Sequence, residues 1–247
     1  MLFKKPRVSV VIPAYNEATY IDRLLHALAR QKFSDFEVII SDAESKDGIK
    51  KVAESFRDKL EIKFFEAAPK GPAFGRNQGA KHARGEWLLF LDADVDLPDP
   101  DFIEKLVTKT EAKDWQTSSA QLKVMSGSFL GKIGHNQAYM NFMAHTKHPI
   151  FQGYCMFTKR KLFKKLNGFD EKLRYGEDND YATRAAAHGF GFVKGLYYLV
   201  DPRRYQQEGV KLLFKNMSHE LYRLTHGFSF EKNTQEYHFG KHKPRGN

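Results

Sequence analysis

The chain of 247 residues has a single cysteine, Cys155, and its apolar stretches are no longer than a strand, as at residues 8–12. One cysteine excludes an internal disulfide and a multi-cysteine zinc site, and it suits a reducing compartment. We expect it to be a small buried hydrophobe rather than a nucleophile. The short stretches exclude a transmembrane helix, and residues 1–6 lack the apolar core of a signal peptide. A cytoplasmic protein is therefore predicted.

Carboxylates are missing from residues 115–169, which carry eight Lys or Arg and no Asp or Glu. The whole chain has a formal net charge of +10, although residues 1–114 are close to neutral, with 19 basic and 20 acidic side chains. This uneven distribution predicts an anionic partner. Phenylalanines between the cations favour a lipid-linked acceptor and peripheral association with the inner face of a membrane. Because the sequence has no nucleic-acid-binding signature, we expect no nucleic acid.

Strands and helices alternate in the first half of the chain. Apolar, β-branched runs predict buried strands, and apolar residues at helical spacing predict amphipathic helices between them. The predicted strands cover residues 7–13, 36–40, 62–65 and 87–91, and the helices between them begin at residues 16, 47 and 71. This alternation predicts an α/β fold with a Rossmann-like, mostly parallel central sheet and helices on both faces.

The pattern is weaker in the second half. Residues 190–200 receive no assignment, and the basic amphipathic segment 211–224 predicts a C-terminal helix on the acceptor side, packed on the core in preference to inserting in a membrane. The other predicted elements are a helix ending near residue 113, one or two strands within 115–125, a helix at 128–147, a strand at 153–157 and a helix at 177–188.

One domain at residues 1–229 is predicted, because no linker or repeat divides the chain. Its residues 1–114 would form the nucleotide-binding half and residues 115–229 the acceptor-binding half. Residues 230–247 would be a basic, loosely ordered tail.

Asp92 and Asp94 follow the apolar strand at residues 87–91. In open parallel sheets, ligands bind at the carboxyl ends of the strands. Two carboxylates at that edge offer hard oxygen ligands to Mg²⁺ or Mn²⁺, and such an ion would neutralise a diphosphate. Asp-x-Asp turns are also common as solvated turns, but the buried strand before this one favours the metal site.

Glu177 and Asp178 lie in the sequence Gly-Glu-Asp-Asn-Asp at 176–180. Acidic residues at the start of a helix are expected for capping alone. Alternatively, Asp178 would be a general base that takes a proton from an acceptor hydroxyl, with Glu177 orienting the acceptor. The spacing leaves both interpretations open. Arg76 and Asn77, in the first turn of another helix, would meet phosphate or ribose, or Arg76 would be an ordinary surface arginine.

Together these segments resemble the family-two inverting glycosyltransferases, which have the GT-A fold. The resemblance covers roughly residues 7–190 and names the family without naming the sugar. It rests on the segments 8–17, 41–48, 75–79, 92–94, 167–171 and 176–180.

The resemblance implies a nucleotide-diphosphate sugar as donor and a role for each matching residue. The nucleotide-sugar site would comprise Pro13, Ala14, Tyr15 and Glu17 in the first loop, Asp42 at the base, Arg76 toward the nucleotide, and Asp92 at the ribose and metal. Asp94 would ligate Mn²⁺ or Mg²⁺ directly, and Asp178 would be the catalytic base with Glu177 beside it.

The chain also departs from the family pattern. It lacks the Gln-x-x-Arg-Trp motif of processive members, which implies a small, non-processive enzyme. Arg203 and Arg204 resemble a paired-arginine segment that would clamp the diphosphate, although two arginines are often only solvated. His226, or His219, would complete the metal sphere, as a C-terminal histidine does in some relatives.

The predicted function is a metal-dependent, inverting transfer of a sugar from a nucleotide-diphosphate sugar to an acceptor hydroxyl or lipid phosphate. Cell-envelope glycan or glycolipid synthesis is the expected setting. One alternative is a sugar-nucleotide nucleotidyltransferase, which needs a Gly-rich first loop that residues 13–16 do not supply. Another is a catalytically silent nucleotide-sugar-binding or anion-binding protein, which would not need Asp92, Asp94 and Asp178.

Overall fold

The structure is a computed structural model that describes residues 5–125, 133, 150, 152–173 and 175–226. The predicted helix at 128–147, apart from residue 133, and the predicted tail at 230–247 lie outside the described residues.

The described residues form one sheet of eight strands with helices between them. The strands are β1 (Val8–Ala14), β2 (Phe36–Asp42), β3 (Ile62–Glu66), β4 (Trp87–Leu91), β5 (Val95–Asp96), β6 (Thr117–Val124), β7 (Cys155–Lys159) and β8 (Phe190–Val200). The helices are α1 (Ala18–Ala29), α2 (Ile49–Glu54), α3 (Pro72–His82), α4 (Phe102–Ala112), α5 (Arg160–Lys165), α6 (Glu177–Ala186), α7 (Arg203–Glu208) and α8 (Val210–His226).

The strands lie in the order β3-β2-β1-β4-β7-β6-β8-β5. Strand β1 is parallel to β2 and β4, β2 is parallel to β3, and β6 is parallel to β8. Strand β7 runs antiparallel to β4 and β6, and β5 runs antiparallel to β8. The predicted mostly parallel sheet is confirmed. Because β1, β2 and β4 run in the same direction, the residues that follow them meet at one edge.

Apolar side chains cover both faces of the sheet. Every residue of β1 and β4 is buried, as expected for central strands that are packed on two sides. Val10 belongs to a cluster that includes side chains of α1 and α4, whereas its neighbour Val11 packs with side chains of α3, α5 and α6. The alternation of side chains along a strand therefore places helices on opposite faces, as predicted.

Two local expectations need correction. The strand predicted at 153–157 begins at Cys155, because Gly153 and Tyr154 form a turn before it. Residues 190–200, which had no assignment, form the long strand β8. Gly191 in this strand lies against the ring of Trp115, and a Cβ there would be 2.3 Å from ring carbons. Close packing against a distant residue therefore explains a glycine that interrupts the local strand pattern.

Cys155 is fully buried, and burial raises the pKa of its thiol to about 12. The prediction of a structural cysteine is confirmed. In the described part of the chain, no helix combines the length and apolar character needed to span a bilayer.

Candidate active site

The loops after β1 and β2 are locked together at the carboxyl edge of the sheet. Ala14 lies opposite Asp42 in the ladder, and its carbonyl oxygen accepts a hydrogen bond of 2.8 Å from the amide of Ala43. Asp42 accepts two hydrogen bonds from Ser45, from the amide at 2.9 Å and from the hydroxyl at 2.5 Å. Burial raises the pKa of Asp42. Pro13 and Ala14 are the last two residues of β1 and are buried, so they lie beneath the loops at this edge of the sheet.

Asn16 completes the connection between the two loops. Its side-chain oxygen accepts a hydrogen bond of 3.0 Å from the backbone amide of Lys46, and its backbone amide donates one of 2.7 Å to the hydroxyl of Ser45. Asp47 accepts a hydrogen bond of 2.7 Å from the amide of Ala18, the first residue of α1. Tyr15, half-buried, lies between these anchored residues. The predicted first nucleotide loop is therefore held in a defined shape.

Arg76 joins the two halves of the site. This buried side chain in α3 donates hydrogen bonds of 2.7 Å from Nη2 to Asp92 and from Nη1 to Glu177. A third bond of 3.2 Å reaches the carbonyl oxygen of Gly153. The guanidinium carbon also lies 5.6 Å from the centre of the Phe169 ring. Arg76 is therefore part of the site and is not a surface arginine.

Asp178 lies in the first turn of α6 and is held by two backbone amides. Its Oδ2 accepts a hydrogen bond of 2.7 Å from Gly153, and its Oδ1 accepts one of 2.8 Å from Asn179. Burial and then the negative charge of Glu177 raise the pKa of Asp178 to about 7, although Arg76 and the two amides lower it. A carboxyl group with this pKa can exchange a proton near neutral pH.

Asp94 lies beside Glu17 and Arg203 on the other side of Asp92. Arg203, the first residue of α7, binds both carboxylate oxygens of Glu17 at 2.6 and 2.8 Å and lies 3.3 Å from Asp94. Its guanidinium carbon stacks 4.0 Å from the ring centre of Tyr20. Burial raises the pKa of Asp94 to about 7; Arg203 opposes this rise, and the nearby carboxylates add to it.

The second member of the arginine pair lies elsewhere. Arg204 forms an ion pair of 3.7 Å with Glu208, one turn along α7. The structure therefore brings Arg203 to the predicted site and directs Arg204 along its own helix. His219 and His226 have described backbones in α8, but their side chains lie outside the described atoms. A histidine metal ligand stays a prediction.

The family model for glycosyl transferase family 2 matches residues 9–167, which is more than half of the chain. The chain belongs to glycosyl transferase family 2. The glycosyltransferase AglE of Haloferax volcanii is 39% identical over 193 residues, which are 75% of this chain and 63% of AglE. The poly(ribitol-phosphate) beta-N-acetylglucosaminyltransferase TarS of Staphylococcus aureus is 38% identical over 110 residues, 43% of this chain and 18% of TarS. The chain thus spans less than two thirds of the length of both relatives.

Solved structures show the same GT-A fold. A crystal structure of S. aureus TarS, residues 1–349, matches with a TM-score of 0.68 at 22% identity and covers 92% of this chain and 76% of that one. The mannosyltransferase PcManGT of Pyrobaculum calidifontis, in complex with GDP-Man and Mn²⁺, matches with a TM-score of 0.69 at 20% identity. That match covers 89% of this chain and 65% of the other.

The residues of this family-2 chain fit a divalent cation. Asp92 is partly exposed and keeps one carboxylate oxygen outside its bond to Arg76, while Asp94 is a buried carboxylate crowded by acidic neighbours. Crowding of this kind favours a bound cation. Within the described residues, no three His, Cys, Asp or Glu side chains form a ready-made metal cluster. Proteins can also hold Mg²⁺ on one or two carboxylates, with substrate phosphates completing the shell.

Gly153 was not among the predicted residues of the candidate site. Gly153 supplies the amide that holds Asp178, and a Cβ there would lie 2.7 Å from Arg76 and 3.2 Å from Asp178. Asn77 binds both backbone groups of Phe169, at 2.9 and 3.0 Å, and so holds the loop at 167–171. Asn77 was predicted with Arg76 as a group near phosphate or ribose, and its observed partner is the backbone of Phe169. The strand predicted at residues 153–157 gave no indication that Gly153 belongs to the candidate site.

Proposed function

We propose that the protein is a metal-dependent, inverting glycosyltransferase that moves a sugar from a nucleotide-diphosphate sugar to an acceptor. The observation that carries the proposal is the pair of bonds from Arg76 to Asp92 and Glu177. Through these bonds one guanidinium joins Asp92, which follows β4, to Glu177 at the start of α6. The groups that would bind the donor and the acceptor would therefore share one site.

The donor would lie along the carboxyl edge of β1, β2 and β4. Asp42, fixed by Ser45, would accept a hydrogen bond from the base, and the loop containing Tyr15 and Glu17 would border the nucleotide. Arg203 would bind the diphosphate by exchanging part of its contact with Glu17 for phosphate oxygens, since guanidinium binds both groups in the same forked geometry.

Asp92 and Asp94 would hold Mn²⁺ or Mg²⁺ with their oxygens. When bound, the ion supplies positive charge that stabilises the departing diphosphate. Binding of the ion would also relieve the repulsion between the carboxylates that surround Asp94.

Asp178 would take the proton of an acceptor hydroxyl on one of its carboxylate oxygens. The acceptor oxygen forms the new bond to the anomeric carbon while the bond from that carbon to the diphosphate breaks, so the configuration inverts. Glu177 would orient the acceptor from beside Asp178. An acceptor that is a lipid phosphate is already ionised and needs no base.

The acceptor would be anionic or lipid-linked, because residues 115–169 carry no carboxylate. We expect the reaction to take place in the cytoplasm at the inner face of the membrane, as part of cell-envelope glycan or glycolipid synthesis. A relative from Campylobacter jejuni supports a lipid-linked acceptor by its name, GalNAc(5)-diNAcBac-PP-undecaprenol beta-1,3-glucosyltransferase. It is 34% identical over 95 residues, which are 37% of this chain and 31% of that protein.

A panel of nucleotide sugars tests the proposal by thermal stabilisation with and without Mn²⁺, followed by release of nucleoside diphosphate. One donor should stabilise the protein in the presence of Mn²⁺, and Asp94→Asn should remove that effect. Asp58→Asn, on an exposed carboxylate outside the site, is the control and should keep it. Stabilisation that survives Asp94→Asn contradicts the metal site.

The same panel separates the two alternative functions. Formation of a sugar nucleotide from sugar phosphate and nucleoside triphosphate would indicate a nucleotidyltransferase. Donor binding without turnover would indicate a catalytically silent binding protein.

A further inference from the structure

Helix α8 carries an exposed apolar stripe. Four apolar side chains of this helix are 50–66% exposed: Val210, Phe214, Met217 and Leu221. Their spacing of four, three and four residues puts them on one side of the helix. We define these four residues as the outer stripe of α8. The sequence pattern predicted a helix packed on the core, and the outer stripe shows that only part of its apolar surface is packed.

The opposite side of α8 anchors the helix to the protein. Leu212 is buried. The side-chain amide of Asn216 joins two tyrosines, because it accepts a hydrogen bond of 2.6 Å from the hydroxyl of Tyr175 and donates one of 2.9 Å to the hydroxyl of Tyr205. At about 100° per residue, Leu212 and Asn216 point away from the outer stripe. The anchoring contacts therefore hold the stripe outward.

The anchoring residues also connect α8 to both halves of the candidate active site. Tyr205 lies in α7, two residues after Arg203, and Tyr175 lies three residues before Asp178. A surface that binds the outer stripe would consequently be held at a defined position relative to the site.

Positive charge flanks the outer stripe. At about 100° per residue, Lys211 lies about 90° around α8 from the middle of the outer stripe. Lys215, one turn further along, lies about 130° from it, on the way to the anchored side, so its long side chain has to extend back toward a surface that binds the stripe. Residues 194–247 carry ten basic and five acidic side chains, and residues 115–169 carry eight basic side chains and no acidic one. A partner of α8 must therefore accept apolar side chains and also offer negative charge.

We propose that the outer stripe of α8 docks on an anionic lipid surface, with its side chains at the boundary of headgroups and acyl chains and the two lysines at the lipid phosphates. This deepens the proposed function by naming the surface that would bring the enzyme to a lipid-linked acceptor. A second copy of the chain fits less well, because two basic helices would face each other. A four-residue stripe is also smaller than the roughly 800 Å² that each partner buries in a stable dimer.

Co-sedimentation of the full chain with vesicles tests the proposal. Vesicles of equal parts phosphatidylglycerol and phosphatidylcholine should bind the protein more tightly than vesicles of phosphatidylcholine alone. Phe214→Gln with Leu221→Gln should weaken binding by about tenfold or more. The exchanged pair Phe214→Leu with Leu221→Phe keeps the apolar surface and should bind like the wild type.

The charge contribution has its own matched pair of variants. Lys211→Gln with Lys215→Gln should weaken binding to the anionic vesicles by up to about thirtyfold, since each of the two lysines contributes up to about 1 kcal/mol near such a surface. Lys50→Gln with Lys51→Gln removes the same charge from the exposed side of α2 and should leave binding unchanged.

Three results would overturn the proposal. The first is equal binding of the wild type to neutral and anionic vesicles, and the second is wild-type binding by the variant with Phe214→Gln and Leu221→Gln, called the glutamine pair below. The third is a loss of binding in the exchanged pair as large as that in the glutamine pair. A dimer in sedimentation velocity that the glutamine pair dissociates would likewise overturn it in favour of a second copy. Donor-dependent thermal stabilisation, measured without lipid, reports on the proposed function alone. Failure of docking and failure of the enzyme proposal are therefore distinguishable.

Discussion

Arg76 and Glu177 are 101 positions apart in the chain and 2.7 Å apart in the structure. The same guanidinium holds Asp92 at the same distance, so one side chain from α3 fixes both the end of β4 and the start of α6. Buried charges are stable only when they are paired and hydrogen-bonded. The geometry of the site and the stability of the fold therefore depend on the same contact.

Arg76→Met should lower the free energy of unfolding by about 3–5 kcal/mol, because Asp92, Glu177 and Asp178 lose their cation in a buried place. Arg7→Met is the matched control, since Arg7 pairs with Glu111 at the surface and should contribute under about 1 kcal/mol. Urea denaturation measures both. Should Arg76→Met fail to fold, Arg76→Lys, which keeps the charge without the fork, should show an intermediate loss. Equal small losses for Arg76→Met and Arg7→Met would contradict the role of Arg76.

Asp178→Asn should lower kcat for a hydroxyl acceptor by about 10²–10⁴-fold, the usual contribution of a general base. Donor binding, followed by thermal stabilisation, should stay near the wild-type value, because the proposed mechanism gives Asp178 a contact with the acceptor and none with the donor. Asp180→Asn, two residues along α6, is the control: Asp180 pairs with Arg184 and should affect stability more than kcat. An unchanged kcat in Asp178→Asn with a hydroxyl acceptor would remove Asp178 from the mechanism.

The pH dependence of kcat should follow the pKa of about 7 that burial gives Asp178. A base must be deprotonated to act, so log kcat should rise by about one per pH unit below this pKa and level off above it. The profile needs saturating Mn²⁺, since the pKa of Asp94 is also raised to about 7 and its protonation would weaken metal binding. The residual activity of Asp178→Asn should lack the inflection. A wild-type profile that is flat through pH 7 would be the contrary result.

The first half of the fold was predictable because its signal is local. Strand β4 was predicted with its observed bounds, since five consecutive apolar residues can be buried in only a few ways. Strand β8 was not predicted, because it pairs in parallel with β6 through an irregular register between Ala120 and Gln121 and packs Gly191 under Trp115. Those partners lie far from β8 in the sequence, and no local pattern records them.

The candidate site was predictable in its residue types and not in its contacts. Asp92, Asp94 and Asp178 follow from strand ends, a helix start and a family resemblance. That Arg203 binds Glu17, 186 positions away, depends on where α7 packs. The amide of Gly153 leaves no mark in the sequence at all, because every residue but proline has one.

Arg203→Met should make Mn²⁺ stabilise the protein more strongly in the absence of donor. Arg203 now neutralises Glu17 and Asp94, so its loss leaves both carboxylates without their cation and ready for the metal ion. Without Mn²⁺, the variant should unfold at a lower temperature than the wild type. The addition of Mn²⁺ should then raise the unfolding temperature of the variant by more than it raises that of the wild type. Arg204→Met, which breaks the ion pair with Glu208, should respond to Mn²⁺ as the wild type does. An equal Mn²⁺ response in all three proteins would mean that Arg203 and the cation do not compete for Asp94.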